Sequence, residues 1–133
     1  MQRRLVLTLA ALTCLPFVAS TASAQTWPVR PIKLVVPFPP GGLIDNMARL
    51  VAPKLGQELG QAIVIDNKPG AGGNIGADAV AKATDGHTIG LMINGNMTIA
   101  RLLNPAVRYD PLKDLAPITL VGVAPRRRRG GRP

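Results

Sequence analysis

The chain has 133 residues, 47% of them hydrophobic, and a formal net charge of +9. Seven of its arginines lie at the two ends, whereas nine basic and seven acidic residues between Gln25 and Pro125 leave a balance of only +2. A nucleic-acid groove needs basic residues spread over one face, so the body of the chain does not fit that class of protein.

The N-terminal 24 residues have the pattern of a secretory signal peptide. A basic head, Met1–Arg4, precedes the apolar run Leu5–Ala19 and the small-residue cleavage site Ala22–Ala24. The apolar run is too short for a comfortable membrane span, although a retained anchor and a lipoprotein cysteine at Cys14 are alternatives. Cleavage would leave no cysteine and no membrane insertion. An exported chain without disulfides indicates the periplasm.

Predicted strands and helices alternate through the rest of the chain. A continuous apolar strand at Ile32–Pro37 precedes a helical stripe from Ile44 to Leu59, in which Pro53 is expected to kink or restart the helix. A second strand is predicted at Ala62–Asp66. The later predicted elements are a helix capped by Asn74 and ending near Ala83, a strand at Thr88–Ile93, a weaker helix at Thr98–Leu103, a turn or short helix from Asp110–Pro111, and a strand at Ile118–Val123.

This order predicts an α/β fold, with a parallel sheet covered by helices on both faces. In such sheets ligands bind beyond the carboxyl ends of the strands. Three turns, PFPPGG, PGAGGN and NGN, follow predicted strands and should meet at that edge. Free backbone N–H groups and the positive end of a helix dipole suit an anion, most simply a carboxylate.

The residue types needed for enzyme chemistry are scarce. The serines, Ser20 and Ser23, both lie in the signal peptide, so the usual acyl-transfer nucleophiles are missing after cleavage. The single histidine, His87, follows an Asp-Gly turn and is predicted to be a surface residue rather than a general base. No His pair or clustered carboxylate set indicates a metal, and neither a metal nor another cofactor is expected.

Three features keep alternatives open. The turn Gly70–Gly76 resembles a dinucleotide-binding turn, which makes a nucleotide-binding α/β protein the second hypothesis. Ile75 at the usual third glycine position weakens this resemblance. Asp45 either caps the helix that follows it or accepts a hydrogen bond from a ligand. The Arg-rich end, residues 126–133, is expected to be disordered and is either an RNA- or membrane-binding segment or a frameshift product.

Three motifs in this order, PFxPGGxxD, NxPGAGGxxG and YDPxxDxxP, resemble those of the Bug-type periplasmic solute-binding proteins of tripartite tricarboxylate transporters. The resemblance runs from about Trp27 to Ala124. It implies a two-lobed flytrap fold that closes on a small carboxylate held largely by backbone N–H groups and water. It also implies a monomeric receptor that delivers its ligand to membrane transporter subunits.

Carried over by position, the resemblance assigns ligand binding to three loops. The residues are Phe38, Pro40, Gly41, Gly42 and Asp45 in the first, Gly70, Ala71, Gly72, Gly73 and Asn74 in the second, and Asn94, Gly95 and Asn96 in the third. The family commonly has glycine or a small polar residue where Leu43 and Ile44 stand, so this pocket is expected to be more apolar or less open.

Family members are also more than twice as long. Residues 25–125 are therefore expected to form part of the first lobe, with residues 1–24 as the signal peptide and residues 126–133 as a tail. This interpretation predicts a truncated copy that binds its ligand weakly or not at all.

Overall fold

The computed structural model describes residues 26–123. The predicted signal peptide and the predicted Arg-rich tail lie outside this range. The strands are β1 (Ile32–Val36), β2 (Ile63–Asn67) and β3 (Thr88–Gly90). The helices are α1 (Leu43–Leu59), α2 (Asn74–Ala81), α3 (Asn94–Thr98) and α4 (Ala100–Leu103), and a single 3-10 turn (Ala71–Gly73) precedes α2.

The three strands form one parallel sheet in the order β2-β1-β3. Since β2 and β3 lie on opposite sides of β1, two right-handed crossovers place α1 and α2 on opposite faces of the sheet. On one face Ala48 of α1 packs against Leu34 and Val36 of the central strand. On the other, Gly76 of α2 approaches Pro37 closely, and a Cβ built on Gly76 would lie 2.7 Å from the Pro37 Cβ. The α/β prediction is confirmed.

The central strand is buried because helices cover it from both sides. Ile32 and Val36 are completely buried, and Val35 keeps only 1% of its surface exposed. This explains why its sequence is continuously apolar from Leu34 to Val36 rather than alternating, whereas Lys33, near its entry, is exposed.

Helix α1 continues through Pro53 instead of restarting there. The proline ring is exposed, whereas Ala48 and Ala52 face the sheet, so tertiary packing holds the helix on both sides of the missing backbone donor. Among residues 26–123, no helix combines the length and apolar character required to cross a membrane.

The predicted strand at Ile118–Val123 is wrong. Residues 115–123 have no regular structure, and Ile118 and Val123 are 80% and 76% exposed. A strand exists only when its backbone pairs with another strand, and no backbone bond within residues 26–123 involves this segment. An apolar pattern alone therefore did not establish a strand here.

Other element boundaries also differ from the prediction. Strand β3 ends at Gly90 rather than at Ile93, because its ladder with β1 stops at the pair Val35 and Gly90. The predicted helix at Thr98–Leu103 is present but shorter, as α4, and a separate short helix, α3, precedes it. A turn at residues 111–114 follows Asp110, as predicted.

Asn74 does not cap α2. The helix begins at Asn74 itself, its N-cap is Gly73, and no side chain makes a capping hydrogen bond. The Asn74 side chain instead accepts hydrogen bonds from more distant residues, so a tertiary network replaces the local cap.

His87 is buried, with 8% of its surface exposed, so its prediction as a surface residue is wrong. Its Nε2 accepts a hydrogen bond from the amide of Val29 at 3.3 Å, and its Nδ1 lies 3.0 Å from the carbonyl of Asp85. Nδ1 therefore carries the proton in the neutral ring. Together with a bond from the Trp27 indole to the Gly86 carbonyl, these contacts fasten the start of the described chain to the amino end of β3.

Candidate functional site

Three loops leave the sheet at one edge. The last residue of β1, Val36, pairs with the last residue of β2, Asn67, and Val35 pairs with the last residue of β3, Gly90. The strands are parallel, so the segments that follow them emerge together at the carboxyl ends. We name them the first loop (residues 38–45), the second loop (residues 70–74) and the third loop (residues 94–96).

Asp45 braces the first loop. Its carboxylate, 1% exposed, accepts hydrogen bonds from the amide of Gly41 and Nε of Arg49, both at 2.8 Å, and from Nδ2 of Asn67 at 3.0 Å. Asn67 also donates to the carbonyl of Phe38 at 3.0 Å. The bonds from Arg49, Gly41 and Asn67 hold the pKa of Asp45 far below its usual range. The carboxylate is therefore already occupied by protein donors. Of its two predicted roles, this favours a structural role at the start of the helix over direct binding of a ligand.

The start of α1 presents unpartnered amides. No hydrogen bond among the described residues uses the N–H groups of Gly42, Leu43 or Ile44, and the N-cap Gly42 has no side-chain cap. These donors stand at the positive end of a 17-residue helix. The Leu43 side chain is 65% exposed, whereas Ile44 packs against the core of Leu34 and Val36. Of the two apolar residues that differ from the family pattern, Ile44 therefore contributes to the core, and Leu43 is exposed.

Gly73 is the point at which the three loops meet. Its φ of +93° belongs to the left-handed region that favours glycine. A Cβ at this position would lie 2.9 Å from Oδ1 of Asn96 and 3.3 Å from Cζ of Phe38. The absence of a side chain therefore lets residues of the first and third loops approach the second.

The second and third loops also carry unpartnered amides. In the described part of the chain, the N–H groups of Ala71, Gly72, Asn94 and Gly95 have no acceptor, whereas Gly73 donates within its own turn. Each of these amides precedes or opens a helix. Together with the first loop, they supply the donors that a carboxylate would need.

The side chain of Asn96 joins the second and third loops. It is 2% exposed, and its Nδ2 donates to the carbonyl of Gly72 at 3.0 Å and to Oδ1 of Asn74 at 2.9 Å. Its Oδ1 is buried and has no hydrogen-bond partner within residues 26–123. The Tyr109 hydroxyl lies 2.9 Å from the carbonyl of Asn96 and 3.1 Å from Oδ1 of Asn74.

The predicted site residues differ in accessibility but all belong to these three loops. They are exposed at Pro40, Gly41, Gly42, Gly70, Ala71, Gly72 and Asn94, half-buried at Phe38, Asn74 and Gly95, and buried at Asp45, Gly73 and Asn96. The exposed residues Gly42, Ala71, Gly72 and Asn94 carry backbone donors that are free among residues 26–123, whereas Pro40 has no N–H and the Gly41 amide is bonded to Asp45. The buried members hold the loops together.

Sequence reasoning missed two residues that shape the site, Asn67 and Tyr109. Asn67 carried a detectable signal, because it is a polar residue directly after an apolar strand. Tyr109 is the only tyrosine of the chain and opens the YDPLKDL block, but its distance from the glycine loops concealed its role. Burial raises its pKa above the ordinary value.

The single histidine of the chain lies away from the three loops. His87 lies at the amino end of β3, the opposite edge of the sheet, and both of its ring nitrogens already have protein partners. Within residues 26–123, no group of three His, Cys, Asp or Glu side chains is arranged to hold a metal ion. The geometry provides hydrogen-bond donors and a helix dipole, which suit binding.

The last glycine of the predicted dinucleotide-type turn, Gly76 in α2, has a structural explanation. Gly76 lets α2 approach the strand ends closely, because a Cβ at this position would lie 2.7 Å from Cβ of Pro37 and 3.1 Å from the carbonyl oxygen of Lys68. Close packing therefore explains why position 76 is a glycine, and a bound nucleotide phosphate is not needed to account for it. A cavity of about 250 Å³ borders the loop and is lined in part by Asn74, Asp78 and Tyr109.

Comparison with known proteins identifies the family. The sequence model described as "Tripartite tricarboxylate transporter family receptor" matches residues 47–127. Protein BugT of Bordetella pertussis is 46% identical over 110 residues, which cover 81% of this chain and 34% of that protein. A Pseudomonas protein encoded in the tcbD-tcbE intergenic region is 43% identical over 115 residues, 84% of this chain and 34% of its own length.

Solved structures agree with the sequence matches. MatC from Rhodopseudomonas palustris, solved with bound malate, is 44% identical and has a TM-score of 0.62, over 66% of this chain and 30% of its own. Rpa4515 of the same organism, solved with adipate, is 45% identical with a TM-score of 0.60, over 65% of this chain and 29% of its own.

The chain spans about a third of the length of the curated relatives that it matches. The family predicted from the three sequence motifs is confirmed. This chain belongs to the tripartite tricarboxylate transporter receptor family, a family of transporter receptors rather than of enzymes.

Proposed function

We propose that this chain forms one wall of a cleft that binds a small carboxylate, in a periplasmic receptor that delivers the ligand to membrane transporter subunits. Residues 25–125 would form part of the first lobe of a monomeric two-lobed receptor, after an export signal at residues 1–24. Two similar solved proteins hold malate and adipate, which are both dicarboxylates. Their chemistry matches the donors available at the edge of the sheet.

One observation carries the proposal. Unpartnered backbone amides from the first, second and third loops lie at the same edge of one parallel sheet, around the contact of Gly73 with Asn96 and Phe38. An ionised carboxylate accepts several hydrogen bonds, and bonds to a charged acceptor are stronger than neutral ones. Pairing these amides with a carboxylate also places its charge near the positive end of α1.

The affinity of this chain alone should be low. A cleft with two walls removes a ligand from water and strengthens each hydrogen bond, whereas a single wall leaves the ligand largely hydrated. We therefore expect dissociation constants for malate and adipate in the millimolar range, rather than the micromolar range of a closed receptor.

The test is a titration monitored by the backbone amide signals in ¹H–¹⁵N NMR spectra. Malate and adipate are added up to millimolar concentrations, with their dimethyl esters as uncharged controls. We expect saturable shifts at Gly42, Ala71, Gly72 and Gly95 with the acids and none with the esters. Equal shifts with the esters, or no saturable shift with either acid, would contradict a carboxylate site. Micromolar binding would contradict the proposal that one wall binds weakly.

A further inference from the structure

The Tyr109 hydroxyl reaches two loops of the site from a distant part of the chain. Its ring is 2% exposed and packs with Ala77 of α2 and Ala100 of α4. A buried hydroxyl needs a hydrogen-bond partner, and this one lies within bonding distance of Oδ1 of Asn74 and of the carbonyl of Asn96. One residue thus contacts both the second and the third loop.

The contacts form a closed network. Tyr109 has one hydroxyl proton to share between its two acceptors, while Nδ2 of Asn96 donates to Asn74 and to the carbonyl of Gly72. Each loop is therefore bonded to the other directly and again through the tyrosine. Buried networks of this kind fix one arrangement of their members.

The segment that carries Tyr109 is itself held in place. The adjacent Asp110 carboxylate accepts a hydrogen bond from Arg101 at 2.7 Å and another from the amide of Leu112 at 3.1 Å. The amide of Asp110 donates to the carboxylate of Asp114 at 2.7 Å. The hydroxyl is thus presented from an anchored turn.

We propose that Tyr109 is a positioning residue, which fixes the spacing between the free amides of the second loop and those of the third loop. Its removal should loosen the two loops against each other without unfolding the sheet. The consequence for carboxylate affinity rests on the proposed function, whereas the consequence for loop order does not.

The test compares Tyr109→Phe with Leu115→Ala in the whole chain. Tyr109→Phe keeps the ring and removes the hydroxyl, whereas Leu115→Ala removes packing from the same cluster and leaves every bond of the network in place. Hydrogen exchange is measured at the hydrogen-bonded amides of Gly73 and Asn96, and at Leu34 in β1 as the reference for the sheet. Loss of one hydrogen bond predicts about 5-fold faster exchange in the loops of Tyr109→Phe.

Positioning predicts a selective effect. In Tyr109→Phe, exchange should accelerate at Gly73 and Asn96 but not at Leu34, whereas Leu115→Ala should not single out the loops. Unchanged loop exchange in Tyr109→Phe, or equal acceleration at all three amides, would overturn the proposal.

A malate titration of the same variants separates this inference from the proposed function. Positioning predicts that Tyr109→Phe weakens malate binding about 5-fold. Selective loop exchange combined with no malate binding by any variant would support positioning and contradict the carboxylate function. Malate binding and loop exchange both unchanged in Tyr109→Phe would overturn positioning and leave the carboxylate function standing.

Discussion

Replacing Gly73 by alanine should disrupt the junction of the three loops. The new Cβ would lie 2.9 Å from Oδ1 and 3.2 Å from Nδ2 of Asn96, both closer than ordinary van der Waals contact. Because Asn96 is 2% exposed and its Nδ2 makes two hydrogen bonds, the side chain cannot move aside without losing them. The Gly73→Ala variant therefore combines backbone strain with the loss of a buried network.

The magnitude follows from these two contributions. Alanine in the left-handed region costs about 1–2 kcal/mol. Each hydrogen bond lost by Asn96 adds about 0.5–1.5 kcal/mol. Gly73→Ala should therefore lower the free energy of unfolding by roughly 2–5 kcal/mol.

Gly72→Ala is the matched control. Gly72 also has a positive φ, +65°, but a Cβ there would meet nothing within 4 Å. Its cost should be the strain alone, about 1–2 kcal/mol. Urea unfolding followed by far-ultraviolet circular dichroism gives both values from the midpoint and slope. Equal destabilisation by the two substitutions would refute the contact between Gly73 and Asn96.

Three further predictions concern pH and packing. Because folding lowers the pKa of Asp45, its carboxylate contributes fully to the free energy of unfolding above the pKa of the unfolded chain, about 4. This contribution should be lost as the pH falls below that value. The urea midpoint of Asp45→Asn should therefore fall less steeply with decreasing pH than that of the unsubstituted chain. An equal pH dependence in the two chains would contradict the role of the Asp45 carboxylate in holding the first loop. Gly76→Ala should cost about 1–3 kcal/mol because its Cβ would lie 2.7 Å from that of Pro37, and a stabilised variant would contradict this packing. Since burial raises the pKa of Tyr109, the unfolded chain ionises first, and stability should fall as the pH rises above about 10. Ultraviolet absorbance of this single tyrosine measures its titration, and ionisation at the unfolded midpoint would contradict its burial.

The parts of the fold that the sequence predicts depend on local patterns. The apolar run at Ile32–Pro37 indicates a strand buried on both faces, and Val35 and Val36 are indeed buried. Glycine-rich turns after parallel strands must emerge at one edge, because the strands share a direction. The location of the three loops follows from these two rules.

The bonds that hold the loops together could not be read from local patterns. The partners Asp45 and Asn67 are 22 residues apart, and Tyr109 and Asn74 are 35 apart. No helical or strand period links such positions. The Asn74 cap was predicted from its immediate neighbours, but hydrogen bonds from Asn96 and Tyr109 take its side chain.

Strand prediction at residues 118–123 failed for a related reason. Alternating or continuous apolar residues are compatible with a strand, but pairing requires a partner edge. In residues 26–123 this segment pairs with no strand, and Leu120 is 77% exposed. Local pattern and tertiary partner are separate requirements, and only the first is visible in the sequence.

Deleting one backbone donor at the start of α1 tests the central claim most directly. Leu43→Pro removes an amide that has no acceptor within residues 26–123, at a first helical position that accepts proline without losing an intrahelical bond. Leu43→Ala removes the same exposed side chain and keeps the amide. If backbone amides hold the carboxylate, Leu43→Pro should bind malate about 10-fold more weakly than Leu43→Ala, as expected for one bond to a charged acceptor. Equal malate affinities in the two folded variants would contradict the claim.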